Sequence, residues 1–477
     1  MTENCDHKAP FGPSGESPMD QALCRRVLDI ALENGGDYAD LFFEYRASSG
    51  FSFSDGTLKA ASRNVSAGVG VRVQRRGMTG FASTEDLSFE ALERAAKTAS
   101  EIAVGGGGKR AFALESRPLP RRYEVEDVSL DAPLREKRLL CERAALAALS
   151  FDPRVTAAES SFSEEVREIL VATSDGIFAH DVQPLFRVGV RARAEDHRSW
   201  REGTSGGGGR VGLGYFHGTP PEWHGREAAR QAVQLLDCRQ GPTGDVVVVL
   251  GSADCGIIFQ QAVAQSLEAD YVFTRTSALV DLMGRQIASE FFTLIDDASV
   301  PGSRGSLNVD DEGIVPHPTV LIEQGRVCGY LHDRRSARLL GHSTTGNGRR
   351  ASFGASSMPR CTNTLVLPGP DEPESILRSV KHGILVLKLG GGQIDMSNGD
   401  FVFGTTESYL IEDGRVTAPL APQNILGNAI EMLGNVTMLG SDVFISDGIW
   451  TSGKHDQSVP IGVGCPVMRI ESLFVAS

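Results

Sequence analysis

Asp245-Val246-Val247-Val248-Val249-Leu250 and, one short turn later, Ile257-Ile258-Phe259-Gln260-Gln261-Ala262-Val263-Ala264-Gln265-Ser266-Leu267-Glu268-Ala269-Asp270 mark where the chain changes character. The valine run reads as a short buried strand, since an unbroken apolar stretch of that length suits a strand covered on both faces. It leads into an apolar helix that carries three glutamines, Gln260, Gln261 and Gln265. Beyond about residue 290 the pattern becomes many short strands punctuated by Gly, Asn and Pro, with one helix expected at about 372–382. The domain boundary is therefore placed near residue 240.

Upstream, apolar residues recur at Ala22, Leu23, Val27, Ala31 and Leu32, which predicts a helix over 20–33 closed by Gly35-Gly36. Strands are expected at 39–45 and 65–74, then a helix over 88–103 capped by Ser88. Gly105 to Gly108 reads as a flexible link. A helix at 134–149, strands at 155–163, 166–173 and 184–195, and a helix at 221–236 complete the half. The expected fold class is α+β. Residues 18–240 form an α/β sandwich-like domain with helices on a mostly antiparallel sheet, and 241–477 a β-rich domain built as a curved sheet or partial barrel. Residues 1–17, with Pro10, Gly12, Pro13 and Gly15, read as a flexible leader. The runs Ser205–Gly209 and Gly390–Gly392 match no strand-to-helix phosphate fingerprint and read as flexible loops or points of close backbone packing.

Composition narrows the function. The 477 residues are 41% hydrophobic and 23% charged, ordinary for a globular protein, and the formal net charge of −14 argues against nucleic acid or an acidic membrane surface as partner. The eight cysteines include no Cys-x-x-Cys pair, so neither a disulfide framework nor a zinc ribbon is expected. No apolar leader or run of about 18 apolar residues occurs, and a soluble, cytoplasmic protein is expected.

Several longer runs carry a resemblance. They are Pro301-Gly302-Ser303-Arg304-Gly305-Ser306-Leu307-Asn308-Val309-Asp310-Asp311-Glu312-Gly313, Thr345–Arg350, Met358–Thr364, Gly390–Asp395 and Gly453–Pro460, with Gly68–Arg72 and Thr204–Arg210 in the first half. Together they resemble the TldD/PmbA family, two-subunit zinc metallopeptidases formed by TldD with TldE, and are more similar to TldD. The resemblance spans nearly the whole chain. It implies an enclosed channel between subunits that takes unfolded peptides through backbone hydrogen bonds.

The same resemblance places the family's zinc ligands, two histidines of His-Glu-x-x-x-His and a late cysteine, on Gln260, Gln265 and Ser452, and its glutamate base on Gln261. Zinc favours imidazole, thiolate and carboxylate donors, and an amide takes no proton from water. No metal site is expected in this chain; zinc, if any, is expected only in a partner subunit. Positions five apart on a regular helix sit about 140° apart, so a locally widened, π-bulged helix is expected here even without metal. A rebuilt site from Cys255, His455 and Glu268 is a lesser alternative, and Glu268 and Asp270 are otherwise expected to hydrogen-bond at the helix end. Channel candidates are Asn308, Asp310, Asn347, Arg349, Arg350, Lys454, His455 and Gln457. The arginines at 334, 335, 338, 349, 350 and 360 are expected on a solvated or inter-subunit face. The implied function is a TldD-like subunit without its own zinc, paired with a second family member or with itself, acting on peptides or peptide-like natural-product intermediates. The alternatives are an amide or peptide hydrolase with a rebuilt or metal-free site, and a non-catalytic peptide-binding module.

Overall fold

In a computed structural model of the protein, which describes residues 9–12, 15–54, 57–103, 111–124 and 128–477, the first half is built on unusually long strands. Tyr38–Ser54, Thr57–Arg75, Val155–Thr173 and Ile177–Glu195 each run 17 to 19 residues. From one edge the seven-stranded sheet runs Met78–Thr84, Thr57–Arg75, Tyr38–Ser54, Val155–Thr173, Ile177–Glu195, and both Trp200–Gly209 and Glu115–Ser116 pair with the last. Every pairing is antiparallel except that of Glu115–Ser116. The strands expected at 155–163 and 166–173 are one strand, because Glu164 and Glu165, which read as a break, stay in register opposite Ser49 and Ser48.

Gln21–Leu32 and Phe89–Ile102, capped by Asp20 and Ser88, bury Val27, Leu28, Ala31, Leu92, Ala96 and Ala99 against Leu41 and Val71 of the sheet. Ala9 and Phe11 join this core, Phe11 with its ring 5.8 Å from that of Phe43. This part of the expected flexible leader is therefore packed, because an aromatic ring gains more from burial than the short chain loses in order. Residues 1–8, 13 and 14 and the link Gly105–Gly108 lie outside the described residues. A second helix pair, Leu134–Leu149 and Pro221–Leu236, packs closely through Ala144, Ala148, Ala228 and Ala229. A side chain at Gly225 would meet the Ala144 carbonyl at 2.0 Å, which explains the glycine.

In the second half Gly244–Leu250, His382–Ile394, Asp400–Glu412, Asn424–Asn428 and Met468–Ala476 pair in a ring, a closed five-strand barrel where a curved sheet or partial barrel was expected. The expected helix at 372–382 covers only Pro373–Arg378, since His382 already begins a barrel strand. A separate six-stranded sheet runs from Arg326–Val327 through Thr319–Glu323, Leu294–Asp296, Asn363–Val366 and Gly462–Cys465 to Phe444–Ile445.

The halves meet along a buried seam of charges. Arg72 lies 2.6 Å from Asp40 and 2.7 Å from Glu312, and Arg167 lies 2.6 Å from Glu44 and 2.9 Å from Asp311. Arg350 adds a pair with Asp40 at 3.3 Å. Arg72–Asp40 and Arg167–Glu44 lie within the first half, while Arg72–Glu312, Arg167–Asp311 and Arg350–Asp40 cross to the second, so each arginine completes its neutralisation across the seam or makes its pair there.

Candidate functional site

The segment after Leu250 turns through Ala253–Gly256 and enters the helix at Ile257–Phe259. Gln260–Ala264 is a π-helix, and Gln265–Leu267 tightens into a 3₁₀ turn before Glu268. The widened turn expected from the five-residue spacing is present. Ile257, Ile258, Phe259, Val263 and Leu267 are fully buried in the largest apolar core, so packing fixes the distortion.

Around the widened turn the glutamines have different surroundings. Gln265 Nε2 donates to the Gly453 carbonyl at 3.3 Å, next to Ser452 on the strand Thr451–Lys454. Ser452 accepts from Arg360 Nη2 through both its carbonyl (2.6 Å) and its hydroxyl (3.2 Å). Gln260 is fully buried, and neither end of its amide has a hydrogen-bond partner among the described residues. It stands near the Cys361 thiol, whose pKa burial drives well up; the amide opposes part of that rise without reaching hydrogen-bonding geometry. Gln261 is only half-buried, though its Oε1 is enclosed and also unpartnered.

On the same strand as Ser452, Lys454 Nζ lies 2.6 Å from both Glu268 Oε2 and Asp270 Oδ1 and 4.2 Å from the centre of the Tyr271 ring. Burial disfavours the ammonium, but Glu268 and Asp270 outweigh it and hold the Lys454 pKa above its usual value. Glu268 Oε1 also accepts from the Cys361 backbone N–H at 2.9 Å. Glu268 and Asp270 thus tie the helix end to its neighbours. The side chains at 260, 265 and 452 are neutral amides and a hydroxyl, with the Arg360 guanidinium bonded to Ser452 and the Lys454 ammonium held by Glu268 and Asp270.

Cys255, His455 and Glu268 are not brought together. The Cys255 thiol donates to the Val386 carbonyl at 3.3 Å, Glu268 is held by Lys454, and His455 sits in a tight turn. Among the described residues no group of three or more His, Cys, Asp or Glu side chains is placed to hold a metal. His455 and Asp456 both have positive φ, the two-residue hairpin geometry that joins Lys454 to Gln457.

Most channel candidates are committed internally. Asn308 donates to Asp181 and accepts from the Arg122 backbone, while Asp310 accepts from the backbone of Glu312, Ile314 and Gly348. Burial and the neighbouring Glu312, whose charge Arg72 and Arg334 hold, push the Asp310 pKa up against its three backbone N–H donors, and the carboxyl serves as a turn-former. Asn347 donates to Asp296 and to the Arg360 carbonyl, and Arg349 to the carbonyls of Cys361 and Pro460. Burial drives Arg349 down to about 9, against Asp311 and with the help of nearby arginines. Gln457 clamps Ala351 and Ser356. Of the eight, His455 lines a cavity of about 280 Å³ with Asp270, Phe273, Met358 and Pro359. The basic cluster is not one face: Arg349, Arg350 and Arg360 are buried, Arg334 pairs with Asp175, and Arg338 pairs with Asp37. Sequence reasoning missed the pairing role of Arg360.

Known proteins share this architecture and much of its sequence. Family models described as PmbA/TldA metallopeptidase domain 1, central domain and C-terminal domain match residues 39–103, 127–236 and 243–477. A metalloprotease TldD homolog of Haemophilus influenzae is 35% identical over 94% of this chain and 95% of its own. One from Buchnera aphidicola subsp. Acyrthosiphon pisum is 33% identical over 95% and 94%. The crystal structure of TldE from Thermococcus kodakarensis superposes with a TM-score of 0.71 at 20% identity, covering 96% of this chain and 99% of that one. A Thermotoga maritima structure described as a putative modulator of a DNA gyrase gives 0.79 at 20% identity, over 95% and 99%. The chain belongs to the PmbA/TldD metallopeptidase family. Among the described residues no helix is long and apolar enough to cross a membrane.

Proposed function

We propose that this chain is a TldD-like subunit of a TldD/TldE-type assembly that handles unfolded peptides or peptide-like natural-product intermediates, and that it has no zinc centre of its own. The observation that carries the reading is the contact set at positions 260, 265 and 452. Gln265 is spent on the Gly453 carbonyl and Ser452 on Arg360, and Gln260 offers only a neutral amide. Such donors do not fit zinc, and a guanidinium bonded to one of them opposes any second cation. Gln261 has no acid–base capacity at neutral pH, so a base for water activation is also missing. In this reading the chain contributes channel wall and stability, and a second family member carries any catalytic metal.

Co-expression with a second family member from the same source, followed by affinity capture and a cleavage assay on unfolded peptides, tests this. The reading expects a stable complex whose activity needs the partner and disappears with a chelator. Cleavage by the isolated chain that survives chelation would overturn it and favour a metal-free hydrolase.

A further inference from the structure

Two arginines crowd a cleft between the halves without an acid committed to either. Arg304 donates to the Trp450 carbonyl through Nε at 2.8 Å and to Thr451 Oγ1 through Nη2 at 3.4 Å, with no carboxylate in reach of an ion pair. The side chain of Arg187, on the strand Ile177–Glu195, makes no hydrogen bond or ion pair to any described residue. Both line one cavity of about 310 Å³ with Ser48 and Ser163, and Arg187 also borders an adjoining cavity of about 400 Å³. Arg187 is exposed and Arg304 half-buried; of the buried arginines, Arg72, Arg167 and Arg350 each have a carboxylate within 3.3 Å, whereas Arg349 and Arg360 are held by backbone carbonyls. Burial pushes Arg304 down to about 10, and the charges of Arg187 and Arg210 press the same way. Two carboxylates also border the cleft. Glu164 is neutralised by Lys137 at 2.6 Å, and Glu165 lies 3.7 Å from Arg46, attracting Arg304 only at long range.

Two like charges lining one cavity create a field that favours an anion between them, and guanidinium groups suit a group with two or more equivalent oxygens. We propose that Arg187 and Arg304 form an oxyanion subsite that binds a carboxylate or phosphate carried by the ligand. Its place is informative. Arg304 grips Trp450 and Thr451, the two residues before Ser452, so the subsite adjoins the strand to which Gln265 bonds. Resting on the peptide-handling reading, the source is the terminal carboxylate of a peptide; a free phosphate is the other source of the same chemistry.

The experiment uses the full chain, alone and with any copurifying subunit. Fluorescence anisotropy follows an unstructured labelled peptide ending in a free carboxylate, the same peptide as its terminal amide, and inorganic phosphate as competitor. Arg187→Gln is the informative variant, since Arg187 has no internal partner whose loss would disturb the fold. Arg304→Lys is the second, with the thermal midpoint of each variant recorded. A charge-assisted pair of this kind corresponds to roughly tenfold in affinity. The acid peptide is expected to bind about tenfold tighter than the amide, phosphate to compete, and Arg187→Gln to erase the difference while amide binding persists. Equal binding of acid and amide peptides with no phosphate effect would overturn the subsite and leave the peptide reading standing. Phosphate that raises the thermal midpoint of the wild type and not of Arg187→Gln, with neither peptide bound, would uphold the subsite and sink the peptide reading. Failure of all three ligands would overturn both.

Discussion

Arg360 Nη2 donates to the Ser452 hydroxyl at 3.2 Å and to its carbonyl at 2.6 Å, so a fixed guanidinium holds the residue at which the family resemblance places a zinc-binding cysteine. The structure around this contact is rigid: both residues are buried, and Gln265 reaches the next residue on the same strand. A cation already belongs to this centre as part of the fold.

The orphaned amide of Gln260 gives the sharpest stability expectation. A buried amide without partners costs about 1–3 kcal/mol, and an apolar side chain of similar shape removes that cost. Gln260→Leu is expected to raise the denaturant midpoint by an equivalent of about 1–2 kcal/mol, read by urea unfolding. Gln265→Leu, which deprives the Gly453 carbonyl of its donor, is expected to show no such gain.

The charge seam between the halves responds in the opposite sense. Glu312 accepts from Ser357 Oγ and from the Arg334 backbone and forms an ion pair with Arg72 at 2.7 Å, all out of water. Glu312→Ala leaves Arg72 with half its neutralisation and is expected to cost about 3–5 kcal/mol. Lys97→Ala, which breaks the exposed pair with Glu93, is expected to leave the midpoint unchanged. Differential scanning calorimetry of the two variants checks the contrast.

Much of the architecture was legible because periodicity carries it. The helices at 134–149 and 221–236 were readable to the residue, and the family resemblance, which puts two ligands of one ion five residues apart at Gln260 and Gln265, implied the π-helix. The barrel's closure was not legible, since ring closure depends on His382–Ile394 pairing with both Gly244–Leu250 and Asp400–Glu412, a long-range fact that no local pattern records. The site fared less well. Polar residues in the quoted runs, such as Asp310 and Arg350, looked like cleft-liners. Sequence shows that a polar group is present and not whether its partner is substrate or another strand, and here the partner is the fold. Arg187 sits on an alternating strand like any exposed arginine, and only the three-dimensional approach of Arg304 distinguishes it.

The glycine-rich run Ser205–Gly209 is strand, where backbone contact demands glycine. A Cβ at Gly208 would meet the Phe186 carbonyl at 2.2 Å, and its φ of +143° suits no L side chain. Gly391 has open space around its Cβ position and an ordinary backbone. Gly208→Ala is expected to lower stability by at least about 1–3 kcal/mol, and Gly391→Ala to be tolerated. Thermal unfolding of the two alanine variants distinguishes them.

Acid sensitivity follows from two buried histidines. Burial, with Lys388 adding to it, drives His224 from 6.5 down to about 4, and burial beside His342 does the same to His332. Between about pH 6.5 and 4 the unfolded chain takes up these protons and the folded chain does not, so stability is lost as pH falls through that window. Each histidine contributes on the order of 3 kcal/mol across it. Asp333, raised to about 6 by burial, works the other way between its unfolded value near 3.8 and 6, offsetting part of the slope. His224→Gln is expected to flatten the decline, measured as urea midpoints at pH 7.0, 5.5 and 4.5.

The most direct test of the central claim is the metal content of the isolated full-length chain, purified from zinc-supplemented culture and dialysed against metal-free buffer. Zinc far below one ion per chain is expected, unchanged by Gln265→Ala. One tightly held zinc per chain that is lost in Gln265→Ala or Ser452→Ala would contradict the account.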